Sequence, residues 1–243
     1  MRIVDRVLRR ARRVGRSALQ RRGFDVVPYP AFGTELAALL RRLQVDCVLD
    51  VGAFTGTYGR MLRDLGYRGR IVSFEPASEN FELLAREVEG DSAWEARRVA
   101  VGSAAGTLEL RLTGSPGSNS LLVPNAYALG EMHRIFKERG SETVEVITVD
   151  DVFDEATRGA GSVFLKIDTQ GFDLEVIRGA AATLERLAAV QVELALQRTY
   201  EGQPGYLDFL AELDERGFAP ALLFPTFPDS TGRIVECDCI LIR

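Results

Sequence analysis

An acid and two glycines, Asp50, Gly52 and Gly56, surround the end of an apolar run, Cys47-Val48-Leu49-Asp50-Val51. A second apolar run, Ile71-Val72-Ser73-Phe74, closes on another acid, Glu75. Short apolar runs with a polar carboxyl end read as buried parallel strands. The segment Thr57 to Leu65 between them reads as a helix. Strand, glycine turn, helix, strand and acid form a nucleotide-binding βαβ half, with its ligand at the carboxyl ends of the strands. The spacing Asp50-x-Gly52-x-x-x-Gly56 departs from the Gly-x-Gly-x-x-Gly fingerprint that brings backbone against a pyrophosphate. An acid at the mouth of the first strand repels a pyrophosphate and suits a cation. S-adenosylmethionine has no phosphate and carries a sulfonium and an ammonium, so the pattern favours this methyl donor over NAD. Glu75 is placed to accept hydrogen bonds from ribose hydroxyls. The plain alternative is a glycine turn in some other α/β protein.

The elements that must position these residues follow from the periodicity. Thr34 caps a helix running through Leu43. Strand 47–51, helix 57–65, strand 70–75, helix 78–89 and a strand at 97–101 come next. Thr107 to Thr113 alternates polar and apolar and reads as a half-buried strand. Val144 to Val149 is a further strand, and Val163 to Asp168 is a buried strand ending in an acid. A helix from Asp173 to about Leu187 is interrupted at Gly179, and Val190 to Leu194 is another central strand. A helix at 206–216 and strands near 219–223 and 235–242 complete the set. The sum is an α/β, Rossmann-like fold with about seven mostly parallel strands and helices on both faces. The last strand follows a turn at Asp229 to Gly232 and returns directly, which predicts an antiparallel hairpin at the sheet edge. The long segment 114–141, with a short helix from Ala126 to Glu138, reads as a substrate lid.

The 243 residues suit one domain, 34–243, with an appendage, 1–33. The net charge of −5 is uneven: residues 2–22 hold nine arginines and one acid, Asp5. In this stretch Ile3, Val7, Ala11, Val14 and Ala18 share one helical face. Such a basic amphipathic helix can lie on an anionic membrane or pack its thin stripe on the domain. Gly23 to Gly33, with Pro28 and Pro30, reads as a linker. The rest of the chain is acidic, which argues against nucleic-acid binding. No run reaches the 18 apolar residues of a membrane span, and no secretory signal opens the chain. Cys47, Cys237 and Cys239 lie in strand-like runs and read as buried reduced thiols, so a cytoplasmic protein, peripheral at the inner membrane face if the helix docks there, is expected. Oligomeric state is left open.

Several blocks together resemble the FkbM family of S-adenosylmethionine-dependent methyltransferases. They are Val48-Leu49-Asp50-Val51-Gly52-Ala53 with Gly56, then Phe74-Glu75-Pro76, Asn119-Ser120, and Leu165-Lys166-Ile167-Asp168-Thr169-Gln170-Gly171-Phe172-Asp173 with Val176-Ile177-Arg178-Gly179-Ala180. Val192-Glu193 and Tyr200-Glu201-Gly202 complete them. The resemblance implies a class I methyltransferase fold and methylation of a hydroxyl, often on a sugar of a glycolipid, polysaccharide or secondary metabolite. It implies that Asp50 faces the methionine end of the donor, its other role being to cap the turn. Gly52, Ala53 and Gly56 would admit the ligand to the backbone, and Glu75 and Pro76 would hold the ribose side. Ala100 and Val101 would line the adenine, their plain role being core.

Asp168 has three candidate roles: ammonium ligand, substrate base and metal ligand. Glu193 ends the next strand, so the two carboxylates could face one pocket and hold a divalent ion such as Mg²⁺, share a proton, or simply bond nearby backbone. Lys166 points to the same side of its strand as Asp168 and reads as structural or as a brace for a site carboxylate. His133, the single histidine, lies in the lid segment; similar proteins carry a histidine after the Asn-Ser block, which makes it a candidate base. The expected reaction is in-line transfer of a methyl group to a hydroxyl of a small-molecule or glycolipid acceptor, with His133, Asp168 or Glu193 as the catalytic acids and bases. The rivals are N- or C-methylation of a small metabolite, a non-catalytic glycan- or membrane-binding module with a retained cofactor fold, and an NAD(P) oxidoreductase.

Overall fold

The structure, a computed structural model, describes residues 32–226 and 228–243. The expected basic helix 1–22 and most of its linker lie outside the described residues. Helix α1 (Phe32–Arg42) leads into β1 (Cys47–Val51), α2 (Thr57–Asp64), β2 (Arg70–Phe74), α3 (Ser78–Glu87) and β3 (Trp94–Arg97). The chain then leaves the main sheet through β4 (Ala100–Val101), β5 (Gly106–Thr113), a single 3₁₀ turn at Pro116–Ser118, the short helices α4 (Ala126–Glu131) and α5 (His133–Phe136), and β6 (Glu138–Ile147). It returns as α6 (Val149–Thr157), β7 (Val163–Ile167), α7 (Asp173–Arg178), β8 (Leu187–Ala195), α8 (Tyr206–Asp214), β9 (Ala219–Pro225) and β10 (Glu236–Ile242).

Seven strands form one sheet in the order β3-β2-β1-β7-β8-β10-β9. All pairings from β3 to β8 are parallel, and β10 runs antiparallel to both β8 and β9. The C-terminal hairpin is thus at the sheet edge, with the last strand slotted inside and β9 outermost. β1 and β7 are buried along their whole length, as strands covered on both faces must be. One face packs Leu36, Leu39 and Leu40 of α1, Leu62 of α2 and Leu84 of α3 over Val48, Phe164, Ala189 and Ile240. The other packs Phe153 of α6, Leu174 and Ile177 of α7 and Phe209 of α8 over Leu49, Leu165 and Val190. Cys47, Cys237 and Cys239 are buried and unbridged.

Three expectations change. The strand foreseen at 97–101 is two: β3 pairs with β2, whereas β4 pairs with β6 in a separate three-stranded sheet, β4-β6-β5. The strand ending at Val149 stops at Ile147, and α6 begins there. Its start is a capping box, with the Thr148 hydroxyl accepting from Asp151 N (3.0 Å) and the Asp151 carboxylate accepting from Thr148 N (3.4 Å). The helix expected from Asp173 to Leu187 ends at Arg178, and only a 3₁₀ turn, Leu184–Arg186, precedes β8.

Candidate active site

The carboxyl ends of β1, β2 and β7 open on a cleft lined by Gly52, Phe54, Glu75, Pro76, Ala100, Val101 and Asp168, among others. Phe74, Val99 and Leu110 add apolar walls, and residues 116–121 roof it. The roof is tied at several points: Arg111 and Ser120 exchange backbone hydrogen bonds (2.9 and 3.2 Å), Thr113 N donates to Asn119 Oδ1 (2.9 Å), Asn80 Nδ2 to Pro116 O (3.1 Å), Tyr200 Oη to Ser118 O (3.1 Å) and Ser120 Oγ to Gln170 O (2.7 Å).

Glu75 is the best-held carboxylate of this cleft. It is 6% exposed. Its Oε2 accepts from Phe54 N (2.9 Å), and its Oε1 from Ala77 N (3.0 Å) and Asn80 Nδ2 (3.2 Å). Burial pushes its pKa from an ordinary 4.5 up to about 7, against the opposing pull of these three donors. A carboxylate has about four acceptor sites, so one remains, on Oε2, for a ligand hydroxyl.

Gly52 sits at φ +73°, and a Cβ there would fall on the Asp168 carbonyl, so only glycine lets β1 and β7 close to this distance. Gly56 also has positive φ, but its hydrogen faces Leu84 and Glu87 of α3. It shapes the entry to α2 and lines neither the first cleft nor the cavity beside it, contrary to its expected ligand contact. Two residues with side chains, Phe54 (φ 53°) and Gln170 (φ 54°), hold the same left-handed backbone in the turns after β1 and β7. Such strain, of about 1–3 kcal/mol per residue, collects at ligand-facing turns.

Beside the first cleft lies a second cavity of about 350 Å³. It shares Gly52, Phe54, Gly117 and Asp168 with the first, and adds Ala53, Phe32, Tyr58 and Met61 as walls. Its floor is a polar layer on the sheet: Lys166 of β7, Gln191 of β8 and Asp238 of β10. Asp50 pairs in register with Lys166, and Lys166 with Gln191.

Asp50 is therefore not at the mouth. It is fully buried; its Oδ2 accepts from Ser73 Oγ (2.9 Å) and its Oδ1 lies 3.1 Å from Lys166 Nζ, an ion pair off the hydrogen-bond direction. The strand alternation turns it inward, toward its neighbour on β7. Lys166 Nζ also donates to Gly52 O (2.8 Å) and lies 3.7 Å from Asp168 Oδ2. Burial opposes its charge, but Asp50 and Asp168 outweigh this and hold its pKa above the ordinary lysine value. Lys166 thus braces the turn after β1 and the carboxylate of Asp168 together.

Among the described residues Asp168 is the one acid that lines both spaces. Its Oδ1 accepts from Gln170 Nε2 (2.9 Å), which also donates to Glu193 Oε2 (3.3 Å). The expected Asp168–Glu193 pair is bridged by an amide donor, where a cation would need acceptors. Among the described residues no three His, Cys, Asp or Glu side chains are grouped to hold a metal ion, and this pair does not fit one. Glu193 faces a separate small pocket with Asp173 and Phe209. Burial first, then the Asp168 charge, pushes the Glu193 carboxyl well up; the same causes bring Glu236 to about 7.

His133 opens α5 on an exposed surface and lines neither space. A lone histidine in an unpatterned segment carried no information about which way it would face. Gln170, Asn80 and Phe54 were passed over as site residues. Gln170 stood inside the most specific block, and Asn80 on the first turn after Glu75.

A sheet of this order, with one reversed strand near its edge and a ligand cleft over β1, β2 and β7, is the class I methyltransferase fold. Cofactor-bound Rv0187 from MTB shares it, with a TM-score of 0.50 and 14% identity over 89% of this chain and 81% of that one. The chain matches the Methyltransferase FkbM domain over residues 50–220, and it belongs to this family. It is 28% identical to the methyltransferase sdnD of Sordaria araneosa in an alignment of 158 residues that covers 54% of this chain and 59% of sdnD. It is likewise 28% identical to the hexuronic acid methyltransferase AglP of Haloferax volcanii over 160 residues, 64% of this chain and 59% of AglP. The matched part thus spans about three-fifths of each of these curated relatives.

Proposed function

We propose that this protein transfers a methyl group from S-adenosylmethionine to a hydroxyl of a sugar-bearing acceptor, such as a glycolipid, polysaccharide or glycosylated natural product. The observation that carries the reading is Asp168, a carboxylate standing where a donor cleft and a second cavity join. The FkbM match supports methyl transfer, and the name of the Haloferax relative supports a sugar acceptor.

The residues of the first cleft fit the donor chemically. Phe74, Val99, Val101 and Leu110 offer the apolar slot for a purine, with Pro76 and Ala100 beside it. Glu75 offers one acceptor to a ribose hydroxyl, and Gly52 with Asp168 would meet the methionine end. The free volume is about 70 Å³, below the roughly 300–1,000 Å³ of ligand sites, so the 116–121 roof must shift to seat a nucleoside. When bound, the donor supplies a methyl group already activated on a sulfonium. Asp168 accepts the proton of the attacking hydroxyl, worth about 10²–10⁴-fold as general base catalysis. Lys166 and Gln170 hold the Asp168 carboxylate in place.

The test is formation of S-adenosylhomocysteine with a panel of hydroxylated acceptors. Asp168→Asn should lower kcat by about 10²-fold or more, with a smaller loss of S-adenosylhomocysteine affinity. Full turnover in this variant would remove Asp168 as the base. Transfer to amines alone would favour N-methylation instead.

A further inference from the structure

We infer that the second cavity seats the reacting ring of the acceptor, and that its lining selects an uncharged polyhydroxylated ring over a carboxylated one. The inference rests on the methyl-transfer reading of the first cleft and adds the chemistry of the acceptor.

Position comes first: a ligand here and one in the first cleft would meet at Gly52, Phe54 and Asp168, which line both. At about 350 Å³ the cavity falls in the range of small-molecule sites. Its walls are the rings of Phe32, Phe54 and Tyr58 with Met61, apolar surface suited to the C–H face of a sugar ring.

The floor is polar, and its donors are already engaged. Tyr58 Oη donates to Gln191 Oε1 (2.7 Å), and Gln191 Nε2 donates to Asp238 Oδ1 (3.2 Å). Lys166 Nζ is directed to Gly52 O and Val51 O and faces Asp50. What the floor turns to the cavity is acceptor oxygen, from Asp238 and Asp168, and the Thr57 hydroxyl that also lines it can donate or accept. Hydroxyl groups donate to such oxygens; an ionised carboxylate has nothing to donate.

Charge points the same way. Among the described residues Lys166 is the single cation of the floor, and three carboxylates, Asp50, Asp168 and Asp238, stand around it. The surplus is negative, so a carboxylated ring would enter against like charge, whereas a neutral ring meets no such barrier.

The test uses the full chain with saturating S-adenosylhomocysteine and saturation-transfer NMR. The probes are methyl glycosides of glucose, galactose and mannose, each beside its uronate counterpart, near neutral pH. At least one neutral glycoside should bind, with its uronate weaker by about tenfold or more. Asp238→Asn keeps the shape and the bond from Gln191 but puts a donor in the cavity. It should raise the uronate-to-neutral ratio by about tenfold while the S-adenosylhomocysteine Kd stays within about twofold. Equal binding of uronates, or no signal from any sugar, would overturn the inference. A weakened S-adenosylhomocysteine Kd in Asp238→Asn would also overturn it, by giving the cavity to the amino-acid tail of the donor. Neutral-sugar binding to a wild type that does not bind S-adenosylhomocysteine would strike the donor reading and leave the cavity assignment standing.

Discussion

Glu75→Gln should separate charge from shape at the donor site, because two of its effects have opposite pH behaviour. In the wild type the three protein donors converge on one carboxylate. A glutamine can turn its oxygen to Ala77 N and Asn80, but its amide nitrogen then faces Phe54 N. One buried N–H is left without an acceptor, which costs about 1–3 kcal/mol at every pH. The charge term moves with pH. The Glu75 pKa rises from 4.5 unfolded to about 7 folded, chiefly through burial. A raised folded pKa means that the native state binds more protons, so this group's stabilisation is complete below pH 4.5 and is lost as pH climbs through 7. Two to three pKa units correspond to about 3 kcal/mol. Urea unfolding of both proteins at about pH 5 and about pH 8 is the assay. The variant should be the less stable at about pH 5, and the gap should close or reverse by about pH 8. Parallel stability profiles would refute the buried, half-protonated Glu75. Calorimetry should add a second sign: at high pH the variant should bind S-adenosylhomocysteine about 10- to 100-fold more weakly, the worth of a hydrogen bond to a charged group. Wild-type affinity should rise with pH through 7 as Glu75 ionises, and the variant should lose this dependence.

Lys166→Met should leave the buried Asp50 charge without its partner and lower stability by about 3–5 kcal/mol, read from the urea midpoint. A loss below about 1 kcal/mol would mean that Asp50 is not held by this pair. His133→Ala should change kcat by less than about twofold, as an exposed residue away from both spaces would; a tenfold loss would return it to the chemistry. Hydrogen exchange in residues 114–121 should slow by up to about 100-fold at a hundredfold excess of S-adenosylhomocysteine over Kd. Unchanged exchange would show that the roof does not take part in donor binding.

Strand ends do the positioning that a sequence pattern can show. Gly52 follows β1, and Glu75 with Pro76 follows β2, neighbouring strands of one sheet, so their place beside one cleft could be derived from pattern alone, whereas Ala100 and Val101 line it from β4 of the small sheet. The reading failed where a side chain's direction depends on the partner strand. Asp50 stands at a strand end too, but its alternation faces it to Lys166 across β1 and β7. Glu193 and Asp168 end neighbouring strands, yet Gln170, in a left-handed turn, places its amide between them. The polar floor of the second cavity draws on β7, β8 and β10, which are adjacent only in the folded sheet. Helix α6 was missed although Thr148-x-x-Asp151 marks its start, because the apolar run before it masked the change of period.

The most direct test of the account is calorimetric titration of the wild-type protein with S-adenosylhomocysteine and, in parallel, with NAD⁺. Saturable binding of the first, weakened in Glu75→Gln, together with silence for the second is the predicted result. Failure to bind S-adenosylhomocysteine, or saturable binding of NAD⁺, would contradict the methyl-donor site built around Gly52, Glu75 and Asp168.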